Sequence, residues 1–410
     1  MKKMTDLDVS RHRLIIREDF NVPLEEGRIT NEERIDRALP TIQLALHKGA
    51  KVMLMSHLGR PEEGKFDPAF SLAPIADLLE KKLEKPVPLV EIFSLLSDQK
   101  SAKAFYQLER KNLLSWETAQ QEKIILVENV RFLKGENKND PRLSKKIADL
   151  CDIFVMDAFA TAHRAQASTY GIAEFAPVAC AGPLLIEEMQ ALSKALKNPK
   201  KPLLAIIGGS KVSTKIQLLE NLLQKVNVLI VGGGMANTFL AAQGFPMGKS
   251  LYEPDWIESA KQWIELAKQK NVTLLLPQDV RVGKVFAKEE SAKIKSLSEV
   301  CENDMILDIG PATEKNYEIV IQKAGTVLWN GPLGVFEFPN FASGTQKVGK
   351  AITCSHAFSL AGGGDTVAAL EKFGLRDKIS YVSTGGGAFL EYLEGQTLPA
   401  LTILEKRAKK

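Results

Sequence analysis

Short apolar runs alternate with amphipathic stretches along most of the chain. "KVMLMSH" (51–57), "KIILVEN" (123–129), "DIFVMDAF" (152–159), "PLLAIIGG" (202–209), "NVLIVGGG" (227–234), "VTLLLPQD" (272–279), "TVLWNGP" (326–332) and "KISYVSTGGG" (378–387) are each closed by Gly, Pro, Asn, Asp or His. That pattern predicts buried strands. Between many of them lie helical patterns such as "STKIQLLENLLQKV" and "PDWIESAKQWIELAKQK". Strand, helix, strand in repetition predicts an α/β fold with parallel sheets covered by helices on both faces. Ligands of such sheets bind beyond the carboxyl ends of the strands.

A chain of 410 residues predicts two domains rather than one. The helical pattern and Asn-Pro-Lys-Lys-Pro stop at 184–202 mark the junction, with one domain over 1–183 and the other over 203–395. The halves differ in what closes their strands: Arg, His and Asp in the first, glycine in the second. The 45% hydrophobic and 25% charged composition is that of a globular protein, and no apolar run suggests a membrane span. The N-terminus carries charge with no apolar segment behind it, so no signal peptide is expected. A net charge of +4 is too mild to argue for nucleic acid. Cys151, Cys180, Cys301 and Cys354 form no CxxC pair and read as buried thiols of a reducing cytoplasm.

Three strand ends run into glycines and then into a helix: "VGGGMAN", "AGGGDTV" and "STGGGAF". Bare backbone N–H groups at a helix N-terminus favour an anion, and missing side chains let phosphate approach. One such turn reads equally as tight packing; three in one domain point to a phosphate-bearing ligand. None fits G-x-G-x-x-G, which argues against a nicotinamide-dinucleotide dehydrogenase. "QGFPMGKS" (243–250) misses the Walker A spacing by one residue and reads as an ordinary loop. Asp365 directly follows Gly363 and Gly364. A carboxylate there either stabilises the first helical turn or, with Thr366 beside it, holds Mg²⁺ against phosphate oxygens.

In "GGSKVSTK", Lys211 and Lys215 lie four apart, a spacing that puts both on one face of a starting helix. Two ammonium groups after Gly209 and Ser210 suit a polyphosphate. In the first half, Arg17, Arg60, Arg131 and Arg164 follow or end apolar runs, and Arg34 opens a helical one. Parallel strands would bring these guanidinium groups to one rim, where they bind carboxylate or phosphate bidentately. Asp19 and Asn21 suit a ligand hydroxyl. His57 and His163 accompany the arginines. A basic pocket on one domain and a glycine-lined nucleotide site on the other suggest phosphoryl transfer.

"REDFNVPLEEGRITNEERIDRALPTI", "SHLGRP", "ENVRF", "DAFATAHRA", "GGSKVSTKIQLLENLL", "VGGGMANTF", "LWNGPLGVFE", "AGGGDT" and "VSTGGGAFLEYLEG" closely resemble the phosphoglycerate kinase family in its bacterial form, in family order over essentially the whole chain. The resemblance implies two Rossmann-like domains joined by a hinge helix, with the last residues, 396–410, returning to the first. It implies Mg²⁺-dependent, reversible transfer between 1,3-bisphosphoglycerate with ADP and 3-phosphoglycerate with ATP, by a cytoplasmic monomer with no nucleic-acid or membrane partner.

Residue by residue, the resemblance assigns Arg17, Asp19, Asn21, Arg34, His57, Leu58, Gly59, Arg60, Arg131 and Arg164 to the phosphoglycerate side. It assigns Gly209, Ser210, Lys211, Lys215, Gly233, Gly234, Gly363, Gly364, Asp365 and Thr366 to the nucleotide's phosphates and metal. Asn330, Pro332 and Glu337 fall to its base and ribose. Arg34, Lys211 and Lys215 are the implied catalytic cations, and Asp365 the implied metal ligand. Where the family commonly has "DAFGTAHR", "GGAKVSDK" and "DIGPKT", this chain has Ala160, Ser210 with Thr214, and Ala312; none removes a proposed catalytic group. The competing class, a nucleotide-binding scaffold without turnover, would be marked by loss of Lys215, Arg34 or Asp365, and all three are present.

Overall fold

The computed structural model describes residues 1–91 and 122–409. They divide into two compact units, Met1–Met189 with Thr397–Lys410, and Gln190–Gln396. The division falls inside one helix, Pro183–Leu196.

The first unit is built on a six-stranded sheet in the order Leu89–Val90, Ile124–Val127, Lys51–Met55, Arg13–Arg17, Ile153–Met156 and Val178–Ala181. Every pairing is parallel, with Ile15 opposite both Met53 and Phe154. The runs are apolar throughout because both faces are covered. Helix Glu33–His47 buries Ile35, Ala38, Thr41, Ile42 and Ala45, a three-and-four spacing that turns one stripe onto the core of Leu14, Ile16, Val52 and Leu54. The chain leaves the central strand Arg13–Arg17 toward Lys51–Met55 on one side and later reaches Ile153–Met156 on the other. Its order therefore reverses between Arg13–Arg17 and Ile153–Met156, where a crevice opens at the strands' carboxyl ends. The final helix, Pro399–Ala408, packs on this unit: Ala400 N–H donates to Ala162 O at 3.1 Å.

The second unit's main sheet runs Thr273–Leu275, Val228–Val231, Leu203–Ile207, Thr326–Asn330, Phe358–Ala361 and Tyr381–Val382, again all parallel. Its order reverses between Leu203–Ile207 and Thr326–Asn330. The run "VTLLLPQD", expected to be a buried strand, is instead the edge strand Thr273–Leu275, exposed to half-buried. A second sheet, antiparallel, joins Lys293–Ser296, Asp279–Gly283 and Met305–Ile309. It went unread because "KIKS" is largely exposed and polar, with no apolar alternation to mark it.

Cys151 and Cys180 are buried thiols, as expected, but Cys301 and Cys354 are exposed. Both lie at ends of elements rather than on their inner faces: Cys301 follows the turn after Leu297–Glu299, and Cys354 caps helix Ser343–Thr353. No helix among the described residues is long and apolar enough to cross a membrane.

Candidate functional site

In the first unit the arginines converge on His57. Arg17 ends its strand, Arg34 is the second residue of helix Glu33–His47, Arg131 sits in the turn Val130–Phe132, and Arg60 and Arg164 lie in the loops beyond their strands. Burial, then the charges of Arg17, Arg131, Arg164 and Arg34, holds His57 neutral, well below the usual imidazole range. Arg131 is lowered to about 10 by burial and by Arg164, Arg17 and, more weakly, Arg60. Cations so grouped repel one another; Asp19, paired with Arg34, and buried Glu136 offset part of that charge, and an incoming anion offsets more. Arg131 Nε and His163 Nδ1 are buried without a partner, which fits a ligand arriving there.

Neighbouring groups set the geometry. Asp19 accepts from Arg34 at 2.7 Å, and Asn21 accepts twice, from Arg34 at its backbone oxygen (3.0 Å) and from Gly59 N–H at Oδ1 (2.8 Å). Arg131 donates to Gly59 O. Asn129 Nδ2 donates to Leu58 O at 2.7 Å and Phe70 O at 2.9 Å, fixing the "SHLGR" loop. His57 and Leu58 are both buried, so of this loop Gly59 and Arg60 form the rim, with His57 beneath it.

Arg17 departs from its expected role. It is 1% exposed and its guanidinium is fully engaged, with Ser168 Oγ (3.0 Å), Glu18 O and His57 Nδ1 (3.3 Å). It braces His57 from behind and supplies charge rather than reaching a ligand, because a residue of the central strand points into a packed layer. Ser168, which also donates to Glu136 at 2.6 Å, is a supporting residue with no local sequence signal.

In the second unit Lys215 lies at the switch point. Its ammonium donates to Gly208 O and Asn330 Oδ1, both at 2.6 Å. Burial lowers it to about 8, partly opposed by Asp365. The expected shared helical face of Lys211 and Lys215 is not formed. Lys211 is extended before the turn Val212–Thr214, and helix Ile216–Leu223 begins only after Lys215. The whole stretch from Lys211 to Lys215 lies outside the helix, so four-residue spacing carries no helical meaning there. Lys211 is exposed.

The glycine turns pack on one another. Gly233 has φ +65°, and a Cβ there would lie 2.6 Å from Gly209 O. Gly363, at φ +100°, leaves 2.5 Å between such a Cβ and Asn330 Nδ2. Beside them is a cavity of about 660 Å³ lined by Gly209, Ser210, Gly233, Gly234, Pro332, Glu337 and Asp365. Its apolar walls, among them Leu251, Phe286, Met305 and Val335, suit a flat heterocycle. These wall residues, and Lys249 and Ser250 of the "QGFPMGKS" loop, were missed because they come from separate segments, including the unread second sheet.

Lys211, Lys215, Asn330, Gly363, Gly364 and Thr366 do not line that cavity. Asn330, expected at base or ribose, lies beneath the turns, bound to Lys215 and, through Nδ2, to Gly362 O at 2.8 Å. Thr366 is 0% exposed, and its hydroxyl accepts from Gly331 N–H (2.7 Å) and donates to Gly362 O (3.0 Å). Its side chain ties turns together and is not free for a metal. Asp365 is exposed on the cavity wall. Among the described residues no group of three or more His, Cys, Asp or Glu could hold a metal ion.

An arginine-ringed anion site on one α/β unit and a glycine-edged, apolar-walled cavity with a buried lysine on another define a protein that handles phosphate-bearing molecules. The phosphoglycerate kinase family profile matches residues 4–396. Phosphoglycerate kinase of Coxiella burnetii is 55% identical over 406 residues, covering 99% of each chain, and that of Legionella pneumophila strain Paris is 56% identical over 407, covering 99% of this chain and 98% of the other. The solved Coxiella burnetii structure superimposes with TM-score 0.88 over 99% of both chains, and that of Pyrococcus horikoshii, 29% identical, with TM-score 0.80 over the whole of both. The chain belongs to the phosphoglycerate kinase family. It is a glycolytic phosphotransferase with a carboxyl group as acceptor, moving a phosphoryl group reversibly between 1,3-bisphosphoglycerate with ADP and 3-phosphoglycerate with ATP.

Proposed function

We propose that the arginine cluster holds the phosphoglycerate and the glycine-edged cavity holds the nucleotide. The convergence of the arginines on a neutral His57 carries this reading. Arg34, Arg60, Arg131 and Arg164 clamp phosphate and carboxylate; Asp19 and Asn21 take the hydroxyl. The base lies against Phe286 and Leu251, with Glu337 toward the ribose.

Transfer is a direct in-line displacement. The acceptor carboxylate is ionised at neutral pH, so neither a protein nucleophile nor a general base is needed. What the chain supplies is position and charge. Lys215 is the cation that follows the moving phosphoryl group, with Arg34 of the other unit and the glycine-turn N–H groups assisting. Lys211, exposed, steadies the outer phosphate charge. The two half-sites belong to separate units, so turnover requires that they be brought together, with helix Pro183–Leu196 as hinge, and that water be expelled from the acyl phosphate.

Asp365 fits a Mg²⁺ ligand: a single exposed carboxylate at a phosphate-facing turn matches an ion that takes one or two carboxylates and fills its remaining positions with phosphate oxygens and water. The ion would offset nucleotide charge. The protein works in the cytoplasm as a monomer, with neither nucleic acid nor membrane as partner. A coupled assay tests the assignment: 3-phosphoglycerate, Mg²⁺–ATP and excess glyceraldehyde-3-phosphate dehydrogenase with NADH. NADH loss that needs both substrates and collapses in Arg131→Ala and Lys215→Met is expected. Undiminished turnover in both variants would overturn the residue roles.

A further inference from the structure

Glu136 is 1% exposed and comes from the stretch that follows the turn Val130–Phe132. Its Oε1 accepts from Ser168 Oγ at 2.6 Å and its Oε2 from Ser168 N–H at 3.0 Å. Its backbone oxygen accepts from Ala167 N–H at 2.9 Å. Three bonds thus seat the short π-helical turn Ala167–Gly171 on one residue. A serine hydroxyl has one proton. With that proton given to Glu136, Ser168 Oγ can only accept, and it accepts from Arg17 Nε at 3.0 Å. Arg17 Nη1 donates to Glu18 O, and Nη2 lies 3.3 Å from His57 Nδ1. A guanidinium has no acceptor, so Nδ1 accepts there and carries no proton. The opposite tautomer would set Nδ1–H against an Arg17 N–H, and Asp19 Oδ1, at 3.8 Å, is too far to take the bond instead.

We propose that Glu136 is a positioning residue for the arginine site: acting through Ser168 and Arg17, it fixes His57 in the tautomer that carries its proton on Nε2. Glu136 holds the hydroxyl proton away from Arg17. Ser168 then anchors the guanidinium by Nε, and the anchored guanidinium presents Nη2 to the ring. Glu136 also offsets the charges of Arg17 and Arg131. Burial raises its own carboxyl, and the bonds from Ser168 and the charge of Arg17 oppose that rise. Among the described residues the contacts of the His57 ring run through Nδ1, which leaves Nε2–H for an incoming anion. A neutral N–H gives that anion a directed bond without adding a cation beside Arg17, Arg131, Arg164 and Arg34, whose charges, after burial, keep His57 unprotonated. A ring protonated on Nδ1 would instead present the Nε2 lone pair to a phosphate or carboxylate oxygen and repel it.

The inference rests on phosphoglycerate occupying the arginine cluster, while the tautomer itself is read on the free protein. The test labels the histidines of the full chain with ¹⁵N and records long-range ¹H–¹⁵N correlations at neutral pH, with His57 assigned among the five histidines by its loss in His57→Gln. Wild type should show His57 with Nδ1 bare and Nε2 protonated. Ser168→Ala and Glu136→Gln should each mix the two tautomers. Each should also weaken 3-phosphoglycerate binding in calorimetry about tenfold, on the order of one charge-assisted hydrogen bond, with Mg²⁺–ADP affinity unchanged. A merely structural role would lower stability without moving the His57 tautomer. His57 protonated on Nδ1 in wild type, or both variants folded with tautomer and affinity unchanged, would overturn the inference and leave the arginine-site reading intact. Absence of 3-phosphoglycerate binding to wild type would overturn both. Should Ser168→Ala not fold, Glu136→Gln, of nearly the same shape as the native residue, carries the same readouts and the same outcomes.

Discussion

Lys215→Met separates the lysine's catalytic role from its structural one. The ammonium is lowered from 10.5 to about 8, chiefly by burial. The unfolded chain therefore holds the extra proton between about pH 8 and 10.5, and wild-type stability rises across that window. A shift of that size corresponds to roughly 3 kcal/mol. Methionine keeps most of the side chain's volume and does not titrate. Wild type should thus gain roughly 3 kcal/mol relative to Lys215→Met between those limits, whatever constant offset the lost bonds to Gly208 and Asn330 introduce. Urea unfolding of both proteins at several pH values reads this directly. Activity moves differently. Losing a preorganised donor of this kind costs about 100- to 1,000-fold in kcat, and wild-type kcat/KM should fall as pH rises through about 8, where the free ammonium is lost. A stability difference that does not change with pH, with kcat/KM level to pH 9.5, would refute the buried-cation reasoning.

Arg131→Ala removes one charge-assisted clamp and should raise KM for 3-phosphoglycerate about 10- to 100-fold, with KM for ATP nearly unchanged in the coupled assay. Asp365→Ala should weaken use of Mg²⁺–nucleotide about tenfold or more, on the order of one such contact, while phosphoglycerate affinity measured by calorimetry holds. Thr366→Val leaves Gly331 N–H without its buried acceptor and removes one of the donors to Gly362 O, which keeps Asn330 Nδ2; it should cost about 1–3 kcal/mol in urea unfolding and raise KM for nucleotide by loosening the turns.

Much of the architecture was legible because buried parallel strands write themselves as apolar runs with abrupt polar or glycine endings. Arg60, Arg131 and Arg164 could be assembled on one rim from strand ends, since parallel strands share a carboxyl edge, whereas Arg34 comes from a helix start. Side-chain direction was not legible. Arg17 and Thr366 carry the right chemistry in the right segment, yet packing turns them inward, and only the layer above a strand decides that. The spacing of Lys211 and Lys215 misled because an extended residue and a short turn precede the helix. The cavity walls at Leu251, Phe286 and Met305 come from segments with no periodic signal that meet only in the folded unit.

The most direct measurement is a crystal structure of the protein with 3-phosphoglycerate and a non-transferable Mg²⁺–ATP analogue. The account predicts phosphoglycerate oxygens on Arg34, Arg60, Arg131 and Arg164, the base in the cavity beside Phe286, and Lys215 Nζ on the terminal phosphate. Phosphoglycerate bound away from the arginine cluster, or a nucleotide whose terminal phosphate is held with no contact to Lys215, would contradict it.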